Sequence, residues 1–555
     1  MKTKLIYNIL LTAGAAVVLS SCNDFLDMTP TDAVSDKIIW SNVINAELAV
    51  NNFYEDLATL GSYNDMQCAA GMTEALTDAM KYGSTLFNAR CYIPSEIAYG
   101  GSTLTPTYVD VYLGSWGRLY SWITNANEAL SLLKKYGGSM AQKDQERLEA
   151  ELRFFRGVYY FELIKKYKQV ILYNENMDEY TRNKALSSEA DGWEFVYQDL
   201  NYAGEHLPEM TAPNARVSSG AAFAYLSRAM LYAERWADAK TAAGKVIDSK
   251  KYELESSSEL NLPFTVGGKG AIFQYCYDLN GVTQNFDNYY APGGDRSLDK
   301  NDISGGYGTP TQEMVESFEL ATGGFPDWSA WHNTEGTTEN PPYDKLEPRF
   351  ANTVLYNGAS WKGRTIESYV GGVDGYATWK KDPSPDGRSV TGYFLKKLVN
   401  EKHSFATNTK STAPWTSMRY AEVLLNYAEA CYHTGDTELA LGALEKIRTH
   451  AGLPFLRSNG DALISAIRQE RKVELAFEGQ YYWDMRRWGL AEKQFSNYRV
   501  HGLKIVKNAD NTFTYYYVEC DTEDRHFPAK MLGSFPLPTS ELSNNSEVVQ
   551  FPAWN

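Results

Sequence analysis

Gly220 to Ile247 reads GAAFAYLSRAMLYAERWADAKTAAGKVI. Ala222, Phe223, Leu226, Ala229, Met230 and Ala233 recur at the spacing that lines up one face of an α-helix. A short polar break follows, with Tyr232 just before it, and a second helical pattern resumes. A distant segment, RYAEVLLNYAEACYHTGDTELALGALEKI (Arg419 to Ile447), has the same plan. Its face is Tyr420, Val423, Leu424, Tyr427, Ala428 and Cys431, and Tyr432 precedes its break. Apolar and aromatic stripes at helical spacing pack inward, so both segments read as two-helix units of a core. A third long helix is LEAELRFFRGVYYFELIKKYK, Leu148 to Lys168.

Small residues at the crossing points of such pairs let antiparallel helices approach closely, and in this the two segments resemble tetratricopeptide helix pairs. The expected fold is therefore mainly α, a scaffold of helical pairs. Between the pairs the composition changes. Residues 261–414 are rich in Gly, Pro, Tyr and Trp, with short strand-like runs such as AIFQYCY and YFLKKLV. A smaller loop-rich patch spans Tyr82 to Trp116. Irregular loops on a rigid scaffold are where binding residues tend to sit.

The N-terminus carries a different signal. Lys2 and Lys4 precede an apolar run from Leu5 to Leu19, the length of a signal-peptide core and too short to span a bilayer. The run ends in Leu19-Ser20-Ser21-Cys22 and turns acidic at once, which resembles a bacterial lipobox. In that reading residues 1–21 are removed and Cys22 is acylated. Each buried acyl CH₂ contributes roughly 0.8 kcal/mol, so two or three chains anchor the protein durably to a membrane.

Composition removes several function classes. The 555 residues carry a net charge of −16, and loss of residues 1–21 takes away two lysines and no acid. Such a surface repels phosphate backbones, which argues against nucleic acid and anionic lipid as partners. Cys68, Cys91, Cys276, Cys431 and Cys520 are an odd number without C-x-x-C, and so form neither a fully paired disulfide framework nor a Cys₄ zinc site. The seven histidines show no H-x-H or H-E-x-x-H spacing, there is no G-x-S-x-G elbow, and GGYG at Gly305 to Gly308 lacks the lysine of a phosphate loop. No metal and no cofactor are expected. Sequence spacing does not decide about a glycosidase carboxylate pair, whose separation is a property of the fold.

Several stretches together carry a resemblance. Cys22 followed by NDFLDMTPTD, then ELRFFRGVYYFELIKKY, RVSSGAAFAYLSRAMLYAERWADAKTAAGKVIDSKKYEL, RYAEVLLNYAEACYHTGD, IRQERKVELAFEGQYYWDMRRWG and FPLPTSELSNN resemble the SusD/RagB family of Bacteroidetes outer-membrane lipoproteins. The most specific element is Arg468 to Gly489. The resemblance implies a tetratricopeptide-like scaffold with a loop-rich variable half carrying short strands. It implies an N-terminal SusD-like helical region over 22–260 and a RagB/SusD region over 261–555, whose variable part is 261–414. It further implies a non-enzymatic protein on the outer membrane, facing the cell exterior, that presents oligo- or polysaccharide to a SusC-like TonB-dependent transporter. Two rival readings from the residues are a surface glycoside hydrolase and a tetratricopeptide-type peptide-binding scaffold. The acids and arginines of Arg468 to Arg487 fall at helical spacings, as Arg471 and Glu474 do, so mutual ion pairing on packed helices explains them without chemistry.

A neutral sugar needs flat aromatic faces plus a few hydrogen-bonding groups. In SusD-like proteins these come from the loop patch of the N-terminal half and from loops after the second repeat pair. Here the resemblance points to Arg90, Tyr92, Tyr99 and Tyr108, and then to Tyr289, Tyr290 and Tyr307, the last just before TPTQEMVESFE. Trp328 and Trp331, in FPDWSAWHN, are further candidates without a motif. Tyr289, Tyr290 and Tyr307 are expected to form an open platform because they sit in Gly-rich contexts.

Overall fold

The computed structural model describes residues 35–61, 73–83, 89–101, 104–181, 183–209, 216–300, 305–379, 381, 387–407 and 410–555, with the backbone alone at 58, 61, 89–92, 299 and 300. The helical frame runs through α1 (Val43–Gly61), α2 (Trp116–Tyr136), α3 (Gln142–Tyr167), α4 (Glu189–His206), α5 (Ser219–Tyr232) and α6 (Trp236–Ser249). A one-turn helix, α7 (Phe286–Tyr290), lies in the long excursion that follows. The frame resumes with α8 (Tyr420–His433), α9 (Thr437–His450), α10 (Gly460–Glu474) and α11 (Tyr481–Arg487).

Local chemistry sets these boundaries. Ser188 and Ser218 cap α4 and α5, each accepting an amide three residues on, from Asp191 and Ala221. The two breaks noted in the sequence are the same turn. Glu234 and Gly435 both take the left-handed conformation, φ 54° and 81°. The next amide then reaches back over the helix end, Arg235 to the Met230 carbonyl at 2.9 Å and Asp436 to the Cys431 carbonyl at 2.8 Å. The second unit uses glycine there; the first strains a glutamate.

Consecutive helices α2 to α6 pack on one another, and α6 then packs on α8, which pairs with α9. The two repeat units, far apart in sequence, are thus neighbours in space. Close approach needs small residues: a Cβ on Gly204 of α4 would lie 2.5 Å from the Phe223 ring of α5. Ions and amides stitch the units together. The Arg228 guanidinium grips both Glu422 oxygens at 2.6 Å, Asn426 donates to the Ser227 hydroxyl at 3.0 Å, and Lys240 meets Asp436 at 2.6 Å.

The excursion from residue 250 to 419 carries little regular structure. The strands are β1 (Met80–Tyr82), β2 (Ala271–Tyr275), β3 (Gly308–Pro310), β4 (Trp415–Arg419), β5 (His501–Lys507) and β6 (Phe513–Glu519), besides four two-residue strands. AIFQYCY forms β2, antiparallel to β4 at the excursion's exit, and YFLKKLV contributes a two-residue strand, Phe394–Leu395, to a small sheet with Val354–Leu355. β1 pairs with β3, Tyr82 opposite Gly308. The regular hairpin β5–β6 was not anticipated, although its alternating pattern was visible; two hydrogen bonds between Thr337 and Tyr515 tie it to the excursion.

The charged run from Arg468 is paired, in part as its helical spacing suggests, since Arg487 meets Asp484 three residues back at 2.8 Å, and in part across the fold. Arg471 meets Asp484 at 3.0 Å and accepts no partner in Glu474, which instead binds Arg419 at 2.7 Å and Arg349 at 3.1 Å. Glu478 meets Arg419 and Lys397, and Glu470 meets Arg349 and Arg448. All these side chains are buried. The run is a hub joining the frame to the excursion. Burial alone would raise the Glu429 carboxyl, but Arg487 and Arg471 outweigh it and hold it at about 2.

Candidate functional site

GGYG, Gly305 to Gly308, positions the residue between its glycines. Gly305 and Gly306 are left-handed, φ 96° and 59°, and a Cβ on Gly305 would sit 2.3 Å from the Ala291 carbonyl oxygen. The turn lets the Gly306 amide bond Ala291 at 3.0 Å and the Tyr307 amide bond the Tyr289 carbonyl at 3.0 Å. Gly308 then enters β3 against Met80, Tyr82 and Tyr290, with no room for a side chain. The result holds the rings of Tyr289 and Tyr307 with centroids 5.9 Å apart at 50°, both half-buried.

Tyr290 is different. It is 3% exposed, its hydroxyl lies 2.6 Å from that of Tyr82, and its ring packs on Phe286 at 4.4 Å. Successive helical residues are turned about 100° apart, so one turn of α7 sends Tyr289 to the surface and Tyr290 to the core. The expected platform of three open rings is therefore a pair, Tyr289 and Tyr307, backed by a core tyrosine.

The remaining candidates scatter. Tyr99 is buried, its hydroxyl 3.3 Å from both Lys81 Nζ and Asp521, inside an internal ion cluster with Arg525. Trp328 and Trp331 are 6% and 8% exposed and pack edge to face in the core, with the Trp331 indole donating to the Glu339 carbonyl. These three rings offer no open face. Tyr108 is half-buried and stacks with Tyr112 at 4.5 Å. The side chains of Arg90 and Tyr92, and Cys22, lie outside the described residues. Cys431 and Cys520 are free thiols, Cys431 in the core as its stripe implied.

Polar groups beside the tyrosine pair escaped the sequence reading. The Gly387 amide donates to the Gly305 carbonyl at 3.1 Å, which brings Arg388 next to the GGYG turn. Arg388 is half-buried and has no ion-pair partner among the described residues. Arg296 donates to the Asn288 amide oxygen, one residue before Tyr289. Only the glycine just before it, in PDGRS, hinted at Arg388. A pair of tilted aromatic faces flanked by guanidinium and amide groups suits a ligand with apolar C–H faces and hydroxyls. Among the described residues no cluster of His, Cys, Asp and Glu suits a metal ion. No described helix is long and apolar enough to cross a membrane.

The comparisons with known proteins agree over most of the chain. A SusD-like protein from Bacteroides ovatus is 24% identical over 547 residues, covering 95% of this chain and 91% of its own. SusD-like protein P2 from Formosa agariphila is 23% identical over 457 residues, covering 78% and 79%. Among solved structures, a SusD-like protein from Bacteroides fragilis superposes with a TM-score of 0.78 at 25% identity, over 94% of this chain and 99% of its own. A second, described as a SusD-like carbohydrate binding protein from the same organism, has a TM-score of 0.75 at 22% identity, over 92% and 100%. A family model described as starch-binding and associating with the outer membrane matches residues 24–231. With the SusD family model matching residues 269–554, more than half of its length, this chain belongs to the SusD family.

Proposed function

We propose that the protein is a cell-surface glycan-binding lipoprotein that captures oligo- or polysaccharide at Tyr289 and Tyr307 and delivers it to a SusC-like TonB-dependent transporter. The observation that carries this is the paired, half-buried aromatic faces raised by the GGYG turn, in a chain whose other candidate rings are largely in the core. Membership of the SusD family supports the ligand class, and the lipobox-like LSSC supports acylation of Cys22 and an outer-membrane address. Each ring contributes an apolar face worth about 0.5–1.5 kcal/mol beyond area burial, so a two-ring site binds weakly, with dissociation constants from micromolar to millimolar. Several contacts along one polysaccharide raise the effective affinity at the cell.

The test is electrophoresis of the purified protein through gels containing a panel of polysaccharides, alongside an assay for released reducing ends. Retardation by at least one polysaccharide without release is expected. Steady release of reducing ends would favour the hydrolase reading, and no retardation by any of the panel would remove the glycan reading. Co-purification with the transporter in mild detergent, and release of a Cys22→Ala variant from membranes, test the partner and the anchor separately.

A further inference from the structure

A second concavity is lined by neither Tyr289 nor Tyr307, although Phe286 of α7 borders it, and is enclosed by α2, α3, α5, the β4 strand and the segment leading into α11. It has a volume of about 130 Å³. A buried water needs roughly 10–15 Å³ on this measure, so the space holds on the order of ten waters, about the bulk of one hexose. Arg118 lines it and is exposed, so its rim reaches solvent.

Its walls are built for a ligand with both apolar and polar surface. Three indoles line it, Trp122 from α2, Trp415 from β4 and Trp483 from α11. Thr73 also lines it, with a buried Oγ1 that has no partner among the described residues. A core made only for packing would satisfy this hydroxyl or omit it, because an unpaired buried polar group costs about 1–3 kcal/mol.

The charges are unbalanced in one direction. On α3, Glu162 serves two ammonium groups at once, Lys165 at 2.6 Å and Lys166 at 3.6 Å. Arg228 and Glu478 are matched elsewhere, by Glu422 and by Arg419 with Lys397. Arg118 has no ion-pair partner among the described residues. The surplus is thus positive, in a chain whose net charge is −16. Burial pushes the Lys165 ammonium down to about 8 even with Glu162 beside it, so a further anion there would be welcome.

We propose that this cavity binds a monosaccharide-sized sugar acid, with its ring against the indoles of Trp122, Trp415 and Trp483 and its carboxylate answering the surplus cations Arg118, Lys165 and Lys166. The site is separate from the tyrosine pair and does not depend on the surface reading.

The experiment is a tryptophan-fluorescence and calorimetric titration of the full chain with D-galacturonate and D-glucuronate, against D-galactose and D-glucose. Saturable binding of at least one acid is expected, at least tenfold tighter than its neutral counterpart. Arg118→Ala, an exposed position that leaves the melting temperature in place, weakens that binding at least fivefold. Trp415→Phe, which keeps a ring and removes the N–H, also weakens it. The Tyr289→Ala/Tyr307→Ala double variant leaves it unchanged. The proposal is overturned if neither acid gives a saturable signal, if the neutral sugars bind as well, or if the signal disappears in the tyrosine double variant.

Discussion

The helical frame and the excursion between residues 250 and 419 solve opposite problems. In the frame, Ala222, Ala229, Ala239 and Ala243 are fully buried and helices meet at close range, so the inward side chains are committed to neighbours. In the excursion, glycines with positive φ bend the chain so that single side chains, Tyr289 and Tyr307 among them, are held in place without being covered. The contrast implies that substitutions of buried frame residues act on stability, and those at the GGYG turn act on ligand.

The largest effect is expected where the two repeat units meet. Arg228→Ala leaves Glu422 buried without its bidentate partner and costs about 3–5 kcal/mol. Urea unfolding of the variant measures this, and a change under about 0.5 kcal/mol would break the view that the units form one frame.

Acid probes the hub next. The Glu429 carboxyl is held below its ordinary value, at about 2, so its contribution is complete above about pH 4.5 and is lost as pH falls from there toward 2. At 1.36 kcal/mol per pKa unit this is on the order of 3 kcal/mol. Acid titrations of the wild type should show unfolding in that window, and Glu429→Gln should flatten the dependence while lowering stability at pH 7.

Glu74 has the reverse sign. Burial raises its carboxyl to about 7, although the Gly479 amide bonds one oxygen, and the other oxygen has no partner. Folding therefore favours the protonated form, and stability relative to a neutral side chain falls as pH rises from about 4.5 to 7. Glu74→Gln should leave stability unchanged at pH 4 and add on the order of 3 kcal/mol at pH 8, read from melting temperatures at the two pH values.

The frame was legible because helical periodicity is a local signal: α5, α6, α8 and α9 lie where their stripes place them. Its ion pairs were legible only in part: Asp484 and Arg487 do pair at i, i+3. The i, i+3 spacing of Arg471 and Glu474 looks like a pair, yet tertiary packing turns them to Asp484 and Arg419. The site was half legible for a similar reason. GGYG announces a special turn, but whether Tyr289 or Tyr290 faces outward depends on which side of one helical turn meets Tyr82. Trp328 and Trp331 misled because their burial arises in a loop tied to the β5–β6 hairpin, through Thr337 and Tyr515 and through the Tyr517 amide on the Asn333 carbonyl.

The smallest effect on stability should accompany the largest on binding, and one measurement compares the two. The Tyr289→Ala/Tyr307→Ala double variant is run beside wild type and Tyr290→Ala through gels of whichever polysaccharide retards the wild type, and all three are melted. The account predicts that the double variant loses retardation and melts within a degree or two of wild type, whereas Tyr290→Ala melts clearly lower because it vacates core space beside Tyr82 and Phe286. A double variant that still binds but melts many degrees lower would contradict it, for Tyr289 and Tyr307 would then be packing residues and the ligand would lie elsewhere.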